Sequence, residues 1–179
     1  MRFTQTELKG AWLVETQPIS DARGHFARTF CAHAFEEHGL ETIFVQHSVS
    51  HSVTKHTLRG MHFQAAEHAE AKLVSCTRGA ILDVIIDLRA HSPSYRRWTA
   101  YELTDSNGRQ LYVPKGFAHG FQTLHEDVTV SYLISQFYNP QASSGVRWDD
   151  PAFAIDWPAP PTVLSDKDRA WPLMQVSPA

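Results

Sequence analysis

Cysteine is scarce in this chain of 179 residues, with only Cys31 and Cys76 present. Two thiols without metal-site spacing exclude a disulfide framework and a structural zinc site, and they fit buried thiols in a reducing compartment. Long apolar runs are also missing. No stretch approaches the roughly 18 apolar residues that cross a bilayer. The start, Met1-Arg-Phe-Thr-Gln-Thr-Glu7, has no apolar core of a signal peptide, so a cytoplasmic location and no membrane partner are expected. Charge of one sign is lacking too: a net charge of −3 gives no general attraction for nucleic acid or an anionic membrane. Local basic groups can still hold a phosphorylated small molecule.

Helical periods are rare, and turn signals come often. The length and a hydrophobic share of 42% suit one globular domain spanning residues 1–179, large enough to bury a core without staples. There is no internal repeat, low-complexity run or linker. Strands are expected around Ala11–Glu15, through Phe44–Val53, Thr57–Gln64, Ala71–Thr77, Gly79–Leu88, Arg97–Leu103, Gln110–Pro114 and Thr129–Ser135, each bounded by turn residues. After a tight turn at Asp21-Ala-Arg-Gly24, a charged strand is expected to run to Phe30. Ala32–His38, ended by Gly39, is the best helix candidate. The proline-rich tail from Pro151 should wrap the outside in short helices and loops. Many short strands with one early helix indicate an all-β barrel or sandwich, most simply a jelly roll.

Two stretches carry the chemistry. In Thr57-Leu-Arg-Gly-Met-His-Phe-Gln64 a period of two puts Leu58, Gly60, His62 and Gln64 on one face, and Arg59, Met61 and Phe63 on the other. His62 then points where a core side chain is expected, and a packed histidine with one hydrogen bond is the plain alternative to a catalyst. In Leu111-Tyr-Val-Pro-Lys-Gly-Phe-Ala-His119-Gly-Phe a second histidine sits between small residues just after a strand, where backbone can come close to a ligand. Two histidines flanked by glycine in a β context suggest a pocket inside a barrel.

The chain resembles the dTDP-4-dehydrorhamnose 3,5-epimerase family of the cupin superfamily. The resemblance runs from about Asp21 to Asp168. It rests on Asp21-x-Arg-Gly-x-Phe26, Leu58-Arg-Gly-Met-His-Phe-Gln64, Lys72-Leu-Val, Asp83-Val-x-x-Asp-Leu-Arg89, Ser92-Pro-Ser, Tyr112-Val-Pro-x-Gly-Phe-Ala-His-Gly-Phe121, Tyr132 with Tyr138, Asp149-Asp-Pro151 and Leu164-Ser-Asp-Lys-Asp168 in shared order. It implies a cupin jelly-roll barrel with short peripheral helices. It also implies an enzyme that inverts carbons beside the ketone of a nucleotide-linked 4-keto-6-deoxy sugar, without metal or other cofactor.

Such a reaction needs a base on one face of the ring, an acid on the other, and positive charge near the keto oxygen while an enolate forms. By resemblance His62 is the base, since imidazole titrates near neutral pH, and Asp168 orients and charges it. Composition alone would make Asp168 an exposed acid. Tyr132 matches the acid, Lys72 the cation at the keto oxygen, and His119 a further hydrogen bond in the same region or in the network of the base. Asp83, on a strand among apolar residues, must have a partner. Arg59 is implied at the diphosphate, where a guanidinium fork matches phosphate oxygens. Gln46 is implied at the sugar or phosphate, and Tyr138 at the base or sugar. Arg23 and Phe26 lie on a segment that in this family comes from the neighbouring subunit, so a homodimer with a shared site is expected.

Two features depart from the family pattern. Arg28 stands where a glutamate that contacts the thymine is frequent, and Gln46-His-Ser-Val-Ser-His51 lacks the usual Asp-Asn pair. Both bear on recognition of the nucleotide base rather than on proton transfer. Two other readings stay open on sequence alone. One is a metal-dependent cupin with His62, His119 and Glu70 or another acid as ligands, although Phe63-Gln64 stands where a His-x-His pair would be completed. The other is a non-catalytic module that binds nucleotide sugars.

Overall fold

Short runs of β-branched and aromatic residues form thirteen strands and two brief α-helices in the computed structural model, which describes residues 1–174. In chain order these are β1 (Arg2–Gln5), β2 (Trp12–Glu15), β3 (Ile19–Asp21), β4 (Gly24–Phe26), α1 (Ala32–Glu36), β5 (Gln46–Ser52), β6 (Leu58–Gln64), β7 (Lys72–Arg78) and β8 (Ala80–Asp87). They continue with β9 (Trp98–Thr104), β10 (Arg109–Val113), β11 (Phe117–Thr123), β12 (Val128–Ile134), β13 (Ser143–Gly145) and α2 (Asp166–Arg169). A six-stranded sheet of order β1-β2-β10-β7-β12-β5 faces a five-stranded sheet of order β13-β6-β11-β8-β9, and β3 and β4 form a separate hairpin. The strand pairs are antiparallel. This is the expected jelly roll.

Between the sheets lies a core that includes Leu13, Val74, Cys76, Ile81, Ile85, Leu103, Leu111, Val113, Phe117, Phe121 and Val130. Each such side chain, fully buried, contributes about 1.5–3 kcal/mol, which explains how the fold stands with both cysteines free. A second cluster covers the outer face of the five-stranded sheet, where Met61, Val84, Ile86 and Ala118 meet Val146 and Phe153. Among the described residues no helix is long and apolar enough to cross a membrane.

The structure corrects four details of the sequence reading. Residues 27–30 are not strand. The chain leaves the hairpin so that Phe30 can pack edge-on against Phe35 of α1 and Phe44. His119 does not follow a strand but sits in the middle of β11, a strand buried along its whole length; with both faces covered it shows no alternation of polar and apolar residues. The short strands β1, β3 and β13 were also not anticipated.

The fourth correction concerns β6. Arg59 pairs with Phe121 and His62 with His119, so Gly60 and Met61 together oppose the single residue Gly120. One extra residue on β6 makes a bulge and reverses the alternation. Arg59 therefore joins His62 at the cavity, while Met61 stays with the outer cluster. The glycines permit it: a Cβ at Gly60 would come 2.5 Å from the Gly120 Cα, and one at Gly120 would come 2.6 Å from the Met61 sulfur.

Candidate active site

At the end of the barrel where β5, β7 and β12 face β6 and β11, a cavity of about 630 Å³ opens to solvent. It is lined by His62, Lys72, His119, Tyr132, Asp168, Arg59, Gln46 and Tyr138, among others. Of the ten expected site residues, these eight come together. Arg23 and Phe26 do not reach the cavity of their own chain. They lie on the exposed β3–β4 hairpin, where Arg23 pairs with Asp21 and Phe26 is 70% exposed.

His62 Nε2 donates to Asp168 Oδ1 at 2.5 Å. Asp168 is buried in spite of its place in a polar tail. Its position is set by the short helix α2, whose N-cap Ser165 accepts a hydrogen bond from the Asp168 amide. Burial opposes ionisation of this carboxyl. The hydrogen bond and charge of His62, with help from the Gly60 amide and Ser165, outweigh that and hold it below the usual carboxylate range. With the Nε2 proton committed to the carboxylate, the lone pair of neutral His62 lies on Nδ1. The His62 side chain is 41% exposed, so the ring remains accessible to substrate while its orientation is fixed.

Tyr132 approaches from the other sheet. Its hydroxyl is hydrogen-bonded to Ser50 Oγ at 3.0 Å. Burial raises the phenol well above its ordinary pKa; Ser50 and Arg59 work against this, and the charge of Asp83 reinforces it. The group is therefore a protonated donor at neutral pH. Edge-on to its ring, at 6.2 Å between centroids, stands His119, whose Nε2 donates to Asp83 Oδ1 at 2.7 Å. Asp83 thus has the partner that its apolar surroundings required.

Lys72 Nζ lies 2.9 Å from Glu70 Oε1, and both side chains are 11% exposed. Gln64 Nε2 donates to the other oxygen of Glu70 at 2.8 Å, so the ammonium is held at the wall rather than swinging in solvent. Arg59 donates to Ser52 Oγ and to the His51 carbonyl, which brace the guanidinium at the rim. Gln46 Oε1 accepts from the Tyr138 amide at 2.7 Å and leaves its own amide hydrogens for a ligand. The metal-cupin alternative meets three prior commitments. His62 is bonded to Asp168, His119 to Asp83, and Glu70 to Lys72 and Gln64. Among the described residues no group of three or more His, Cys, Asp or Glu side chains stands close enough to share an ion.

Sequence reasoning missed the roles of Glu70, Lys167 and Trp171. Glu70, two residues before Lys72, enters the sequence reading only as a metal ligand. Lys167 adjoins Asp168 in the motif and reaches Ser143 Oγ at the cavity. Trp171 bonds Asp168 through its indole nitrogen at 3.2 Å, and its ring offers no sequence signal apart from lying three residues beyond that carboxylate.

Proton removal and return on two sides of one bound ring is chemistry this cavity can perform, and it defines the protein as an isomerase of the jelly-roll class. Residues 5–175 match the family model described as dTDP-4-dehydrorhamnose 3,5-epimerase. A protein of that name from Methanothermobacter thermautotrophicus is 43% identical over 99% of this chain and 96% of its own. The Bacillus anthracis enzyme of that name, solved with TDP and PPi bound, superposes with a TM-score of 0.94 at 43% identity, over 97% of this chain and 99% of that one. A Legionella pneumophila dTDP-6-deoxy-D-glucose-3,5-epimerase in complex with dTDP-4-keto-L-rhamnose gives a TM-score of 0.90 at 36% identity, over 96% and 92%. The chain belongs to the dTDP-4-dehydrorhamnose 3,5-epimerase family.

Proposed function

We propose that this enzyme inverts C3, C5 or both in a nucleotide-linked 4-keto-6-deoxyhexose, with dTDP-4-dehydro-6-deoxyglucose as the expected substrate. The observation that carries the reading is the pairing of a carboxylate-held imidazole with a protonated phenol, set on opposing sheets and facing one cavity. His62 removes the proton beside the ketone, and Asp168 stabilises the imidazolium that forms. Lys72 steadies the enolate oxygen, and His119 adds its hydrogen bond to Asp83 in the network behind Tyr132. Tyr132 delivers a proton to the opposite face, which completes the inversion. Arg59 holds the diphosphate, while Gln46 and Tyr138 contact sugar or base.

The assembly is a homodimer whose subunits complete each other's sites through Arg23 and Phe26, and it works in the cytoplasm. Exposed Ile19 and Phe26 on the hairpin, exposed Val49 on the edge strand β5 and exposed Val53 just beyond its end supply apolar surface for that contact. Incubation with the dTDP-linked 4-keto sugar in deuterated water, followed by NMR, tests the function. Deuterium should enter beside the ketone and inverted product should appear. Absence of exchange sinks the enzyme reading, and equal turnover of a uridine-linked analogue sinks the assignment of the base.

A further inference from the structure

We propose that Trp171 is a positioning residue for the His62–Asp168 dyad, its indole N–H anchoring the same carboxylate oxygen that grips the imidazole. The inference rests on the functional reading above. Asp168 Oδ1 takes two hydrogen bonds, from His62 Nε2 at 2.5 Å and from Trp171 Nε1 at 3.2 Å. Asp168 Oδ2 faces the Gly60 amide at 3.4 Å. The carboxylate is thus held from both ends, and Oδ1 is shared between the base and the indole.

The indole is itself built in. A Cβ at Gly145 would come 2.5 Å from its Cε2 and 2.7 Å from its Cδ2, so the ring fits there only because residue 145 has no side chain. Gly145 is the residue of β13 that pairs with His62, which ties the indole to the strand carrying the base. The Lys167 ammonium lies 5.2 Å over the ring, and the ring meets His62 edge-on at 6.3 Å between centroids. Trp171 is not part of the cavity lining, so it acts on catalysis through its neighbours, and Asp168 is the one to which it donates a hydrogen bond.

The physical consequence has a definite sign. An N–H donated to Oδ1 draws negative charge away from the imidazole and fixes the carboxylate plane. Without it the carboxylate is more basic toward its remaining partner, the protonated dyad persists to higher pH, and the imidazole is less well aimed. Trp171→Phe keeps an aromatic ring on Gly145 and removes the donor. Trp171→His keeps a donor, because the imidazole Nε2 overlays the indole Nε1 when the five-membered rings are superposed.

The experiment is deuterium exchange into the 4-keto nucleotide sugar, with kcat, KM and the pH profile of kcat/KM measured for wild type and both variants, and thermal melts alongside. Trp171→Phe should lower kcat about tenfold, leave KM within about twofold, and move the acid limb upward by about half a pH unit. Trp171→His should return the limb to within about 0.2 unit of wild type. A Trp171→Phe profile that coincides with wild type overturns the proposal. So does an equal loss in both variants that follows their melting temperatures. If wild type shows no exchange at all, the functional reading fails first and separately.

Discussion

Replacing Asp168 with asparagine keeps the shape of the side chain and removes its charge. The carboxylate oxygen sits 2.5 Å from His62 Nε2, which puts the charge centres of a protonated dyad about 4 Å apart. At an effective dielectric of about 20 that attraction is about 4 kcal/mol, or about three decades in rate. Solvent at the half-exposed imidazole screens part of it. A neutral amide also accepts from Nε2 or donates to it with little preference, so the lone pair is no longer confined to Nδ1. The expected outcome for Asp168→Asn is a fall of roughly 10²- to 10³-fold in the rate of deuterium entry beside the ketone, followed by NMR in deuterated water. Affinity for the nucleotide diphosphate alone should stay within about twofold, because the nucleotide half is assigned to other residues. Exchange within threefold of wild type, with the variant folded, would refute the role given to the dyad.

Lys72→Gln should lower kcat about a hundredfold, a loss of one preorganised charge at the enolate oxygen, and it should melt lower because Glu70 is left buried without its cation; kinetics and a melting curve check both. Asp87 is fully buried. Burial opposes its charge, but Arg89, Ser92 and Ser94 overcome it and hold its pKa at about 2. Since the folded value lies below the unfolded one, the stabilisation is complete above about pH 4 and is lost as pH falls toward 2. It amounts to about 2 kcal/mol. Asp87→Asn should therefore be less stable than wild type in urea at pH 7, with the gap narrowing below about pH 4 and closing only as the pH reaches about 2. Gly120→Ala would put a methyl group 2.6 Å from the Met61 sulfur and 2.8 Å from the Arg59 carbonyl oxygen, and overpacking of this kind costs about 1–3 kcal/mol. It should show as a lower melting temperature together with reduced exchange, because β6 and β11 carry both site histidines.

Most of the fold was legible because strands covered on one face alternate. Phe44–Val53 and Thr129–Ser135 announced β5 and β12 in that way, and their antiparallel pairing brings Ser50 beside Tyr132. Where both faces are buried the signal vanishes, so β11 was hidden although it carries His119. The face of Arg59 was misread because period-two counting assumes an unbroken ladder. The glycines at 60 and 120 are the physical mark of the bulge, since each makes room for the other strand's backbone. Asp168 shows the opposite limit. Its local sequence reads as solvent-exposed tail, and only the tertiary return of that tail over β6 buries it against His62, 106 residues away in the chain. Trp171 could not be assigned for the same reason, as its partners Gly145 and Asp168 meet only when the chain has closed.

The central claim is that His62 and Tyr132 serve opposite faces of one sugar ring. It is tested most directly by NMR of the 4-keto-6-deoxyglucose nucleotide in deuterated water with wild type, His62→Ala and Tyr132→Phe. His62→Ala should take up no deuterium at either carbon. Tyr132→Phe should still exchange, since the base can remove and return a proton on its own face, while inverted product falls sharply. Exchange at the wild-type rate in His62→Ala, or undiminished inversion in Tyr132→Phe, contradicts the account.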